Sequence, residues 1–305
     1  MGYLKMIDIR YHVATLVAIF IALGVGILIG STLVGGDVMI EQQKKMISQL
    51  EAQFDDLRER ESELAEENRF MSEISRHYEE FSKAVSPPLV KNRLNGYRIA
   101  IIVTGGQEIP AGMLNSLSLA GARVDSTTVI LPGIQLRDSS LLIKVCDFYK
   151  LDHSTPPDEL RKMLALSAAG IVVNGGDTEV RDFLEDNNLV KFDGDYGGVL
   201  DEVILFGGAE DESYYYPNSV DAWLIRSLQN YNKSILGCET SRAKMSYMST
   251  YQEFDMSTVD NIDLTPGQIS LIRAIEGETG DYGIKATAKK FMPSLPAEYL
   301  RGDFR

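Results

Sequence analysis

The sequence predicts an α/β protein with an N-terminal transmembrane helix, a coiled-coil helix and then a doubly wound parallel-sheet domain of Rossmann-like type. Three observations predict it. Val13 to Val34 is a run of twenty-two residues without a charge. Apolar residues from Ile47 to Met71 recur with a heptad period. From Gly96 onward, short apolar runs alternate with helical stretches and glycine-rich turns. The boundaries implied are 1–36 for the tail and span, 37–86 for the coiled coil and 87–305 for the globular domain.

At 1.5 Å per residue the charge-free run makes about 33 Å of helix, matching the hydrocarbon core of a bilayer. It lacks the polar stripe of a helix in a soluble core. It is also too long for a cleaved signal, and no small-x-small cleavage site follows it. Within it, Ala18, Ala22, Gly26 and Gly30 recur every four residues. Small residues at that spacing let two helix backbones approach closely in lipid, so the span is expected to dimerise. Lys5 and Arg10 precede the span against Asp8, whereas the first charges after it are Asp37 and Glu41. That asymmetry favours an inside N-terminus and an extracytoplasmic body.

In the segment that follows, Ile47, Leu50, Phe54, Leu57, Leu64 and Met71 share one a/d frame, with Glu61 and Asn68 at a positions. The apolar residues Ile74, Tyr78, Phe81 and Val85 continue in a frame shifted by three, the signature of a local overwinding. Between Glu41 and Lys83 lie twelve acidic and seven basic side chains, a net charge of −5. A two-stranded parallel coiled coil fits best, because Asn68 at an a position costs stability yet fixes register and oligomer state. A single amphipathic helix is the alternative. Pro87-Pro88 is expected to end the helix, since neither residue has a backbone donor and Ser86 is pushed out of the α region.

The globular part opens with a strand at 97–104, a helix at 109–119 closed by Gly121, and a β-branched strand at 123–131. Helices are expected at 139–149 and 158–166, a third strand at 171–173, then an acidic helix. A fourth strand at 202–206, a helix at 219–230 and a fifth strand at 234–238 complete the alternation. Strands separated by helices call for a parallel sheet with right-handed crossovers. The segment beyond Arg242 alternates less clearly and is expected to pack on the flank of the sheet.

Composition excludes several functions. With 44 acidic and 30 basic side chains the net charge is −14, which argues against a nucleic-acid partner. The histidines His12, His77 and His153 have no metal-ligand spacing, so zinc is not expected. Cys146 and Cys238 are far apart, and sequence leaves open whether they pair. Gly105-Gly106, Gly175-Gly176 and Gly207-Gly208 are read as strand-end glycines, where ligands bind in open α/β sheets. No GxGxxG or GxxxxGK[ST] accompanies them, and Asp177, Glu210, Asp211 and Glu212 are the wrong sign for phosphate. Tight turns account for these glycines, and no nucleotide site is expected. No serine sits in a GxSxG elbow, Cys238 has no histidine near it in sequence, and the acids Asp255, Asp260 and Asp263 read as solvated loop residues. The chain is therefore expected not to be an enzyme.

Two stretches carry a resemblance. The opening, with Arg10, Tyr11 and His12 directly before a Gly/Ala-rich apolar run, is similar to that of the MctB-like proteins. Near the C-terminus Thr258-Val259-Asp260-Asn261 and Gly280-Asp281-Tyr282-Gly283 resemble the same family, so the likeness spans essentially the whole chain. The resemblance implies a role in copper homeostasis, since mycobacterial members are described as copper-transport proteins of the outer envelope. It implies as an alternative a cell-separation scaffold, since corynebacterial relatives act in the control of peptidoglycan hydrolases. Cu(I) wants clustered thiolate and thioether ligands, and the residues offer Met245 and Met248 at i, i+3 with Cys238 seven residues before Met245. No other cofactor is expected. The reading that results is a single-pass membrane protein, a parallel homodimer with an envelope or cell-wall protein partner, acting as a scaffold without catalysis.

Overall fold

The computed structural model describes residues 9–294, with the side chains of 32–38 left out of the description. Lys5 and Asp8, which bear on orientation, lie outside the described residues. The chain divides into two compact units, Met1–Ser75 and Arg76–Arg305.

The first unit is carried by helix α1 (Ile9–Val90), whose range runs on into the second unit. Its stretch Ile9–Ser31 has a mean hydropathy of 2.7 and none of it is buried, the composition and length of a membrane span. The heptad residues are exposed too, from Leu50 at 47% to Leu57 and Leu64 at 60%. On α1 the a/d stripe has therefore found no cover within the described chain.

The second unit begins ahead of Gly96, because the last turns of α1 belong to it. The helix does not stop at Pro87-Pro88 as expected but continues to Val90. The Lys91 N–H donates to the Pro87 carbonyl at 2.9 Å, closing the final turn. Val90 and Leu94 are fully buried, and the Leu94 N–H reaches the Ala120 carbonyl at 2.7 Å. Burying two aliphatic side chains returns about 3–6 kcal/mol, which offsets most of the roughly 6 kcal/mol that two prolines within a helix cost. Tertiary packing thus overrides the local break. Thr265 ties the same turns down by donating to Glu79 at 3.0 Å.

The sheet has seven strands in the order β3-β2-β1-β4-β5-β6-β7. They are β1 (Arg98–Val103), β2 (Arg123–Ile130), β3 (Val190–Gly194), β4 (Glu202–Phe206), β5 (Ser234–Cys238), β6 (Ser257–Val259) and β7 (Asp281–Tyr282). All pair in parallel except β3, which runs antiparallel to β2 at one edge. Central strands are apolar on both faces, as burial between two helical layers requires. One face packs Ile99, Ile101, Ile204, Phe206 and Leu236 under α2 (Ala111–Leu119), α8 (Thr265–Glu276) and the end of α1. The other packs Ala100, Ile102, Val203 and Leu205 under α3 (Ser139–Tyr149), α4 (Pro157–Asn174), α5 (Thr178–Asp186), α6 (Ala222–Asn230) and α7 (Met248–Gln252).

Three expectations are corrected. Ile171–Val173 is not a strand but the last turn of α4, which ends at Gly175 in a left-handed conformation, φ 80°. Leu160, Leu164, Ala168 and Ile171 line the buried face of that helix, and a three-residue apolar run cannot by itself separate a strand from a buried helical turn. Gly175-Gly176 accordingly follows a helix. The third strand is instead Val190–Gly194, with Val190 and Phe192 buried and Lys191 exposed between them. The segment beyond Arg242 packs against the sheet only in part, through α7 and α8, and its β6 and β7 extend the sheet in its own plane. Strands of three and two residues are too short to show a period.

Candidate functional site

In an open α/β sheet the place to look is the carboxyl end of the strands where their order reverses. Here that is between β1 and β4, whose loops frame an open cleft of about 400 Å³ lined by Gly105, Gln107, Glu108, Glu210, Asp211 and Tyr214 among others. Its charged lining residues are all acidic. The crevice beneath is filled from within. A Cβ on Gly105 would overlap the Gly208 carbonyl, and one on Gly207 would meet the Tyr251 hydroxyl and the Tyr247 ring. These glycines admit the chain's own backbone and tyrosines rather than a phosphate.

Behind them lies a buried polar cluster. Asp221, fully buried, accepts hydrogen bonds at Oδ2 from Thr104 at 2.8 Å and from Tyr251. Burial pushes its carboxyl up to about 7, against the two hydroxyls that lower it. Asp221 sits in a π turn, Pro217–Asp221, just ahead of α6. Glu239, also fully buried, accepts from Lys285 Nζ at 2.6 Å, from Ser246 at 2.6 Å and from the Tyr247 N–H at 2.9 Å. Glu239 is spent on holding loops together, whereas Asp221 uses only Oδ2, and its Oδ1 is buried with no hydrogen-bond partner among the described residues. No pattern in the sequence marks either cluster: Thr104 is distant from Asp221 in the chain and Lys285 from Glu239, and the nearer partners Ser246 and Tyr247 follow no motif.

The C-terminal motif residues converge at one edge of the sheet. Thr258 on β6 donates to Asp281 on β7 at 2.9 Å. Asp260, just beyond β6, accepts the Ile284 N–H at 2.8 Å and the Lys285 N–H at 2.9 Å. Gly283 between them has φ 142°, and a Cβ there would overlap the Asp260 carboxylate. The motif is thus a latch between two short parallel strands. Asp260 is buried rather than solvated, Asp263 accepts from the Ser241 N–H and Oγ at 2.7 Å each, and Asp255 is exposed.

Cys238 ends β5 and packs in the core under α2 and α8, whereas Met248 and the half-buried Met245 pack in the core on the opposite face. The two methionines share a layer, and the cysteine does not join them. Burial, with Glu239 beside it, pushes the Cys238 thiol well up, away from the thiolate a soft metal needs. Cys146 is equally buried, on the methionine side, and both cysteines are free. Among the described residues no group of three or more His, Cys, Asp or Glu side chains is placed to hold a metal ion. On α1, Ala18, Ala22, Gly26 and Gly30 stand at i, i+4 spacing, and the space around Gly26 and Gly30 is open.

A family model described as copper transport outer membrane protein, MctB, matches residues 6–293, a span that takes in both the Arg10-Tyr11-His12 triplet and the β6–β7 latch. No curated protein matches the chain.

Proposed function

The chain belongs to the MctB family, and we propose that it is a single-pass, membrane-anchored scaffold of the cell envelope, dimeric and without catalysis, that serves copper homeostasis by assembling partners. The observation that carries this reading is the uncovered stripe of α1, where Leu50, Phe54 and Leu57 are 47%, 58% and 60% exposed. An apolar heptad seam of that exposure is satisfied by a second helix, and a second copy supplies one in register. The small-residue ladder from Ala18 to Gly30 brings the same two chains together in the membrane. Proteins that span outer membranes are closed barrels, so this helical anchor is placed in the cell membrane, with the body extracytoplasmic.

Copper enters through the family. The ligands nameable in this chain, Cys238, Met245 and Met248, are divided between two core layers. The test is a Cu(I) titration of the full chain in detergent, set beside Cys238→Ala/Met245→Leu/Met248→Leu. A scaffold gives no tight one-to-one complex in either protein. A sub-micromolar complex lost in the triple variant overturns the scaffold reading in favour of direct copper handling. The alternative within the family, a cell-separation scaffold acting on peptidoglycan hydrolases, rests on the same exposed stripe. It is distinguished by phenotype: polar substitutions at Leu50, Phe54 and Leu57 then impair cell separation and leave copper tolerance unchanged.

A further inference from the structure

Helices α4 and α6 pack side by side on one face of the sheet, and their outer ridges leave a groove of about 350 Å³. Lys162 and Leu166 face it from α4, one turn apart, and Trp223, Arg226 and Asn230 from α6 at i, i+3, i+7. This is an unusual surface for a chain of net charge −14. The Lys162 ammonium stands 4.7 Å from the centre of the Trp223 ring and the Arg226 guanidinium 4.9 Å. Arg226 also lies 5.6 Å from the centre of the Phe254 ring. Lys162 has Glu159 at 3.4 Å, but Arg226 makes no ion pair among the described residues. An exposed guanidinium held over two aromatic rings, with no carboxylate of its own, is preset for an anion from outside.

We propose that this groove docks an acidic peptide segment of a partner protein, one carrying an apolar side chain next to carboxylates. Charge supplies the first half of the argument: Arg226 and Lys162 form a cationic spot on an acidic protein, which selects and steers a negative partner. The groove wall supplies the second. Leu166 is 42% exposed beside the half-buried indole, an apolar seat that a free phosphate would leave empty. Tryptophan and arginine together are also the side chains that most often dominate protein–protein binding energy. Because cations stand over the indole, the ring is engaged electrostatically and does not offer an open face for stacking a sugar.

Trp223 is the only tryptophan in the chain, so its emission reads occupancy of the groove directly. The full chain in detergent is titrated with a short synthetic peptide of two leucines set among glutamates. Parallel titrations use the same peptide with glutamines, inorganic phosphate, and vesicles of anionic phosphatidylglycerol. The expected result is saturable one-to-one binding of the glutamate peptide, weakened by salt. Arg226→Glu should raise its Kd roughly tenfold or more, as loss of a charge-assisted contact predicts. Lys162→Glu, on the other helix, should weaken it independently, with the melting temperature of both variants unchanged. Equal binding of the glutamine peptide, or a Kd that neither charge reversal moves, would overturn the proposal. So would vesicle binding that depends on Arg226 without peptide binding, which would assign the groove to a lipid surface. Dimerisation through α1 is unaffected by any of these outcomes.

Discussion

Replacing Asp260 by alanine tests whether the family's C-terminal motif is a structural latch. Its carboxylate is 1% exposed and accepts two backbone N–H groups, from Ile284 at 2.8 Å and Lys285 at 2.9 Å. Truncation leaves both donors without their acceptor. Each charge-assisted bond contributes about 1.5–3 kcal/mol, so the loss amounts to roughly 3–5 kcal/mol after partial rehydration of the edge. For a unit of this size about 1 kcal/mol moves the melting temperature by roughly 2–4 °C, which puts the expected drop at roughly 6–20 °C. Gly283→Ala attacks the same latch from the other side, because its Cβ would run into the Asp260 carboxylate at φ 142°. The double variant should therefore lose less than the sum of the two, since removing the carboxylate makes room for the methyl group. Thermal unfolding of the full chain, followed by Trp223 emission, reports the body alone. An unchanged melting temperature in Asp260→Ala, or strict additivity in the double variant, would refute the latch.

Stability should also depend on pH through two buried acids. Asp221 and Glu202 are both pushed up to about 7 by burial, so the folded chain holds protons that the unfolded chain releases near its ordinary carboxylate values. Stability then falls as pH rises from about 4 to about 7 and levels off above, by roughly 4 kcal/mol at most for Asp221. Asp221→Asn should flatten that slope in melting curves taken across the window, and an unaltered slope would contradict it. A body cut to begin at Gly96 discards Val90 and Leu94, both fully buried, and should be less stable by roughly 3–6 kcal/mol than one beginning at Arg76. Chemical denaturation of the two fragments decides this. Val199 is 73% exposed, so Val199→Cys should react with a membrane-impermeant maleimide in intact cells, while the buried native cysteines stay silent. Labelling only after lysis would place the body inside.

Long patterns were legible in the sequence and short ones were not. The charge-free run and the long heptad segment became one helix, and four strands of the sheet, β1, β2, β4 and β5, lie where apolar runs were expected. The exceptions have physical causes. Ile171–Val173 is β-branched and ends in Gly-Gly, which reads as a strand, yet its register with Leu160 and Leu164 makes it the end of a helix face. Strands β6 and β7 hold their places through the Thr258–Asp281 and Asp260–Ile284 bonds, which no periodicity records. The prolines at 87 and 88 read as a stop because the burial of Val90 and Leu94 is invisible without the fold. Gly105-Gly106 and Gly207-Gly208 follow strands as expected, whereas Gly175-Gly176 follows a helix, and Asp221 and Glu239 went unseen because Thr104 and Lys285 are distant from them in the chain. Cys238, Met245 and Met248 are close in sequence, yet Cys238 packs on one face of the sheet and the two methionines on the other.

Disulfide trapping across the helical seam tests the scaffold most directly. Leu50→Cys and Leu57→Cys are placed singly in the full chain in native membranes, where buried Cys146 and Cys238 give little background. Both sites are exposed positions of one seam, at 47% and 60%. Mild oxidation should link each to its own counterpart in high yield, while a cysteine at Glu59, at an f position on the outer face of the helix, should link poorly. That pattern is a parallel dimer in register. Monomers at Leu50 and Leu57 under conditions that oxidise the thiols, or equal yields at all three sites, would contradict the account.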